Sequence, residues 1–312
     1  MAKAGSHYPF QGNHGLRVFI SQWQMYAMVA LPVVYLLIFC YGPMFGVIMA
    51  FKDYSIRKGV WGSPWVGFKY FEQFLTMPVF TQLLTNTLSL SVYSMIAEFI
   101  FPILLALGLN EVNKVYFKKT VQMMTYFPYF ISTVVLVGML LQMLSLNGGL
   151  FNNVRSLFGL PALNFMGVPK WWRSIYVWSG VWQSSGYRAV IYIAALSAVD
   201  TQLVEAAVID GASRVQRVIH IDIPSMIPTV TIMLILAVGN MMAVGFEKVY
   251  LMQNNLNLNI SEIISTYVYK KGLLNSQYSY STAVGLFNSV VNFALIITAN
   301  AAAGRIGETK LW

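Results

Sequence analysis

Charged side chains are scarce in this sequence. Asp, Glu, Lys and Arg supply 10% of its 312 residues, against about 25% in ordinary soluble domains. A chain that is 57% hydrophobic and so poor in charge cannot cover a soluble globule with hydrated surface. Cysteine is scarcer still: the lone Cys40 excludes an intrachain disulfide and argues against a structural zinc site. His7, His14 and His220 are too far apart in sequence to suggest a metal cluster. No G-x-x-x-x-G-K-S/T phosphate loop is present, and Gly is nowhere followed by Lys, so the chain lacks the nucleotide cradle of a P-loop motor. The net charge of +9 does not point to nucleic acid, because the 20 basic residues are scattered between apolar runs and form no stripe. An integral membrane protein is the class left standing.

Six segments reach the roughly 20 apolar residues that a helix needs to cross a bilayer: 25–50, 82–109, 121–144, 174–198, 226–251 and 281–303. The expected fold is an all-α membrane protein with six transmembrane helices. Residues 1–24 form a cytoplasmic or interfacial segment, and 25–312 form one membrane domain. The first span is about 26 residues long, beyond the apolar core of a cleavable signal. No small-residue cleavage site follows it, so it is expected to stay in the mature protein. The spacers 51–81 and 145–173 carry Trp61, Trp65, Trp171 and Trp172 among Gly and Pro, a composition suited to the headgroup layer.

Basic residues do not fix the orientation by themselves. The face with both termini holds nine (Lys3, Arg17, Lys114, Lys118, Lys119, Arg214, Arg217, Arg305 and Lys310). The opposite face also holds nine (Lys52, Arg57, Lys58, Lys69, Arg155, Lys170, Arg173, Lys270 and Lys271), so the positive-inside rule is tied. That opposite face has only Asp53, Glu72 and Glu262 as acids and keeps a surplus of six positive charges.

The most specific stretch runs Glu205-Ala206-Ala207-Val208-Ile209-Asp210-Gly211-Ala212-Ser213 and continues through Ile221-Asp222-Ile223-Pro224 to Pro228. Its chemistry reads as a short helix over 203–209, with Asp200 or Thr201 as N-cap and Glu205 near the favourable end of the macrodipole. Ala206 and Ala207 keep one side small enough to lie close in a partner's groove. Gly211 permits the left-handed turn that ends the helix, and a second helix over 214–221 leads into the fifth span.

This Glu-Ala-Ala…Gly…Ile-x-x-Pro pattern resembles the coupling loop of ABC importer permeases, here about 199–228. The resemblance implies a type I importer permease of the maltose-permease kind. In such permeases the loop is cytoplasmic and docks on an ATP-binding subunit, which breaks the orientation tie and puts both termini inside. Glu205, Ala206, Ala207, Asp210, Gly211, Ala212 and Ser213 become the ATPase-coupling residues. The strings Tyr41-Gly42-Pro43-Met44-Phe45-Gly46, Gly62-Ser63-Pro64-Trp65-Val66-Gly67, Val244-Gly245-Phe246-Glu247, Ser261-Glu262-Ile263-Ile264-Ser265-Thr266-Tyr267 and the closing Leu311-Trp312 resemble oligosaccharide permeases of the carbohydrate-uptake class, in particular those for aldouronate- or alginate-type oligomers. The partners implied are a second homologous permease, two ATP-binding subunits that hold ATP and Mg, an extracytoplasmic solute-binding protein and the oligosaccharide. The location implied is the bacterial cytoplasmic (inner) membrane; no cofactor and no catalytic residue is expected in this chain.

Ionisable residues inside spans are costly, by about 2.5–3.5 kcal/mol on insertion scales, and usually face a cavity or a partner. Glu98 and Arg188 lie about 16 and about 14 residues from the outer ends of their spans, so at about 1.5 Å per residue their depths agree within a few ångströms. They either pair with each other, or Arg188 faces the pathway and meets an anionic sugar. Gly180, Ser184, Tyr187 and Arg188 follow helical spacing and should share a face, as should Asn240 and Glu247. In related maltose-type permeases sugar contacts fall on these two spans, which makes these six, with the weaker Asn288, the candidate substrate path. The outer surplus of charge suits either a uronate oligomer or an acidic rim on the binding protein. A secondary, ion-coupled transporter is the rival reading; it needs inverted repeats and intramembrane ion ligands, and the coupling loop argues against it. An intramembrane enzyme fits less well still, because Glu98 is the one deep acid and no His lies in a span.

Overall fold

The structure is a computed structural model that describes residues 22–306. The expected segment 1–24, apart from 22–24, and the closing Leu311-Trp312 pair lie outside the described residues. The described chain is helical, with a single isolated antiparallel bridge, Lys52 to Trp65, in place of strands. It divides into two compact units after Gly67.

Among the described residues the first unit is one long helix and a closed loop that carries the short helix Gly59–Gly62. Helix α1, Trp23–Phe51, contains Pro32 and Pro43, whose missing N–H groups would break an ordinary hydrogen-bond ladder. The backbone absorbs them by changing register, π-helical over Leu36–Tyr41 and 3-10 over Phe45–Phe51, as tolerated in apolar spans. In the loop, Lys52 donates to the carbonyls of Val60 (3.0 Å) and Trp61 (3.2 Å), and the rings of Phe51 and Trp65 stack at 5.6 Å. Trp61 and Trp65 remain exposed.

The second unit begins with α2, Lys69–Thr76, and α3, Val79–Asn110. Next come α4, Val115–Phe130, and α5, Thr133–Met143, which meet at 97°. The expected continuous third span is therefore broken. Pro128 cannot donate within the ladder, Ile131 is extended, and the Ser132 side chain caps α5 by accepting from the Val135 N–H at 3.4 Å. These are the local signals of a helix stop followed by a helix start. The short α6, Leu150–Leu157, leads to α7, Pro169–Ser197, whose first residue suits the fixed φ of proline.

Helix α8, Thr201–Ile209, turns off α7 at 73°. The expected second helix of the loop and the fifth span then prove to be one piece, α9, Arg214–Gly239. A π-helical turn over Val218–Asp222 lets α9 run through Pro224. Helix α9 stops a dozen residues before the expected 251. Residues 240–245 are non-helical and α10, Phe246–Met252, is separate. The chain closes with α11, Ile264–Tyr269, and α12, Tyr278–Ile306. By length and composition four helices (α1, α3, α9, α12) can cross a membrane, and six spans result if each bent pair counts as one.

Helices α3 and α7 make the most extensive packing in the unit. One core cluster gathers Leu90, Ala97, Trp172, Val177, Val181 and Val249; a second gathers Ala106, Leu107, Ala189, Tyr192, Leu196 and Met226. Burial of such side chains contributes about 1.5–3 kcal/mol each where they leave water. Between these two clusters, at Glu98 and Arg188, the interface turns polar.

Candidate functional site

Two places in the second unit carry the chemistry: the elbow between α8 and α9, and a cavity among α3, α7, α9 and the 240–245 break.

The elbow is built from neighbouring residues. Asp200 caps α8 by accepting from the Gln202 N–H at 2.9 Å. At the other end the Ala212 N–H reaches the Ala207 carbonyl (2.9 Å) and the Gly211 N–H the Val208 carbonyl (3.1 Å). That pair of bonds is a Schellman turn, and it needs the left-handed φ of +77° found at Gly211. Ser213 then opens α9 with a reciprocal capping box: its N–H donates to the Gln216 side chain at 2.7 Å and its hydroxyl accepts from the Gln216 N–H at 3.4 Å. No residue of α8 is buried. Leu203, Val208, Ile209 and Val215 stand exposed, an apolar surface of the sort that marks a protein contact. The elbow is tied to the end of α3 by Arg217 and Glu111, 3.3 Å apart, and by Asn110 donating to the buried Asp222.

The cavity measures ≈ 540 Å³. Glu98, Phe99, Tyr176, Arg188, Tyr192 and Asn240 supply its polar and aromatic wall, with Met233, Met241 and Ala237 among the apolar lining. The expected pairing is present: Arg188 Nη2 lies 2.7 Å from Glu98 Oε2, and Arg188 lines the cavity with a 45% exposed side chain. Gly180 is the spacer that lets Glu98 lie against α7, because a Cβ there would come within 2.7 Å of Glu98 Oε1. The Ser184 hydroxyl returns to the Gly180 carbonyl at 2.9 Å.

Other candidates fall elsewhere. Tyr187 does not share the cavity face with Arg188; its ring stacks on Tyr129, in the broken third span, at 3.9 Å. Asn240 and Glu247 do not share a helix face either, since α9 ends between them. Asn240 closes α9, donating to the Leu236 carbonyl at 2.9 Å, whereas Glu247 sits exposed on α10 outside the cavity wall. Asn288 faces the break and donates to the Met242 carbonyl at 3.4 Å, beside Asn292, which accepts from the Met242 N–H at 2.9 Å. These two amides of α12 hold the non-helical backbone that frees Asn240 to face the cavity.

Lys248 is the residue that sequence reasoning missed. Its ammonium is buried on α10, donates to the Tyr176 carbonyl at 2.9 Å and stands 4.8 Å from the centre of the Tyr176 ring. An ionisable residue within an apolar stretch was the available signal; the assumed continuous span hid where it pointed.

Residues 19–307 match the family described as binding-protein-dependent transport system inner membrane component. The polygalacturonan/rhamnogalacturonan transport system permease protein YteP of Bacillus subtilis (strain 168) is 42% identical over 94% of this chain and 91% of its own length. Protein LplB of the same organism is 41% identical over 92% and 91%. A crystal structure of a bacterial ABC transporter that imports the acidic polysaccharide alginate contains a chain with 36% identity and a TM-score of 0.86, covering 93% of this chain and 98% of that one. The alginate transporter in complex with its periplasmic protein bound to an alginate pentasaccharide gives a TM-score of 0.87 at 36% identity, with coverage of 95% and 99%. An exposed elbow after a long helix, a polar cavity among the helices and these likenesses lead to one conclusion: the chain belongs to the binding-protein-dependent transport system inner membrane component family and is a sugar permease subunit of an ABC importer.

Proposed function

We propose that this subunit moves an acidic, uronate-type oligosaccharide inward across the bacterial cytoplasmic membrane, by way of the cavity around Arg188. The carrying observation is a cavity-lining guanidinium whose single acceptor among the described residues is Glu98. Guanidinium offers five donors in a planar fork that matches a carboxylate, so donor capacity remains beyond the Glu98 pair. Phe99 offers its ring to pyranoses, the buried Tyr176 and Tyr192 keep the wall aromatic, and Asn240 offers an amide to hydroxyls. The likeness to permeases for polygalacturonan and alginate, both polyuronates, supports the acidic class.

In this reading the motor is supplied in trans. Glu205, Ala206, Ala207, Asp210, Gly211, Ala212 and Ser213 dock on an ATP-binding subunit, which brings ATP and Mg. A second homologous permease and an external solute-binding protein complete the importer. Both termini are then cytoplasmic, and the basic outer loops face the binding protein. Closure of the ATPase pair shifts the elbow, and the permease pair alternates between outward and inward access as a two-state element. Gly180 contributes by leaving room for Glu98 against α7.

Uptake by the reconstituted importer, with labelled trigalacturonate against its carboxyl-reduced neutral counterpart, tests the substrate class. A preference for the acid of about tenfold in kcat/KM is expected, reduced sharply in Arg188→Gln. Equal uptake of the two sugars refutes the acidic reading.

A further inference from the structure

We infer that Lys248 sets the charge of the cavity from behind its wall: it offsets Glu98 and so leaves Arg188 available to an anionic ligand. The inference rests on the acidic-sugar reading and adds a positioning residue to it.

Three charges meet around Gly180. The point where a side chain on that glycine would begin lies 2.7 Å from Glu98 Oε1 and 3.3 Å from Lys248 Nζ. The carboxylate and the ammonium therefore flank the same glycine. The other carboxylate oxygen, Oε2, is the one held by Arg188 at 2.7 Å. Glu98 thus pairs with Arg188 through one oxygen and has the Lys248 ammonium nearby across Gly180, without a direct ion pair between them, and it is the one acid in the cavity wall among the described residues.

The two cations differ in access. Lys248 is 8% exposed and does not line the cavity; its ammonium is held by the Tyr176 carbonyl and ring. Arg188 does line it. Two cations against one carboxylate leave one positive charge in excess, and charges removed from water are tolerated when paired. The open position for the balancing anion is at Arg188. Without Lys248, Glu98 and Arg188 would form a closed neutral pair, and a sugar carboxylate would have to compete with Glu98 for the guanidinium. Coulomb attraction over a few ångströms is strong where water is excluded, so a lysine that never meets the sugar can still decide which sugars are accepted.

The test is a charge cycle in the complete reconstituted importer, reading KM for labelled trigalacturonate and for its neutral counterpart. Lys248→Met should raise KM for the acid by about tenfold and leave the neutral sugar within about twofold. The double variant Glu98→Gln with Lys248→Met, which again leaves Arg188 in excess, should recover the acid's KM to within about threefold of the parent. An equal rise for both sugars, or no recovery in the double variant, overturns the role. If Lys248→Met fails to assemble, the double variant is compared with the parent alone: retained discrimination supports the inference and lost discrimination overturns it. A parent importer that does not distinguish the two sugars refutes the acidic reading itself. A parent that does, with Lys248→Met unchanged, refutes only the part assigned to Lys248.

Discussion

The elbow and the cavity are built on opposite plans. At the elbow each capping bond joins residues no more than five apart: Asp200 with Gln202, Ala212 with Ala207, Ser213 with Gln216. In the cavity the decisive contacts join residues far apart, Glu98 with Arg188 and Lys248 with Tyr176. An exposed turn can be specified locally, because α8 buries none of its residues in its own chain. A polar cavity among apolar helices has to be assembled by packing, because its polar groups are tolerable only when helices bring their partners to the same depth.

The largest effect is expected on the packed side. Gly186, two residues before Arg188, lies directly against the backbone of Thr125 in α4. A methyl group there meets a carbonyl that cannot swing aside. Gly186→Ala should destabilise the solubilised protein by about 3 kcal/mol, at the upper end for overpacking, read as a lowered Tm in detergent. Unchanged melting would show that α7 and α4 are less closely seated than described.

An intermediate effect is expected at Gly211, where the two plans can be told apart. An added Cβ meets nothing within 4 Å, so the cost of substitution is purely conformational. Gly211→Val should cost about 1–2 kcal/mol of elbow geometry and weaken recovery of the ATP-binding subunit in pull-down. Gly211→Asn, which tolerates the same φ, should retain it. If both variants behave alike, the left-handed turn is not what the partner reads. The smallest effect is expected for Ser213→Ala, which removes one cap bond worth about 1 kcal/mol. It should lower coupled ATP hydrolysis modestly while leaving the Tm of the membrane core in place.

Much of the elbow was legible before any coordinates. The order Asp200, Ala206-Ala207, Gly211 names a cap, a small face and a left-handed turn, and each formed as its residue chemistry requires; the Ser213 cap came with the structure. The equal depth of Glu98 and Arg188 was legible too, because rise per residue converts sequence position into height. Two helices expected after Gly211 proved to be one, α9, and the other failures came where one helix was assumed to stay one helix. Pro128 with Ser132, and Gly239 with Asn240, carry ordinary stop and start signals that hydropathy averages away. Those breaks turned Glu247 off the face of Asn240, set Tyr187 against Tyr129 and brought Lys248 behind Glu98.

The sequence by itself determined that this is a membrane chain, that it lacks a phosphate loop of its own, and where its exposed helical elbow begins, turns and ends. Those properties depend on composition and on bonds between near neighbours. Only the tertiary structure decided that Arg188 opens to a cavity, that Gly180 is the point where Glu98 and Lys248 converge, and that the fifth span breaks at Asn240. These depend on which faces of separate helices meet, a choice settled by packing across the second unit rather than by any local run of residues.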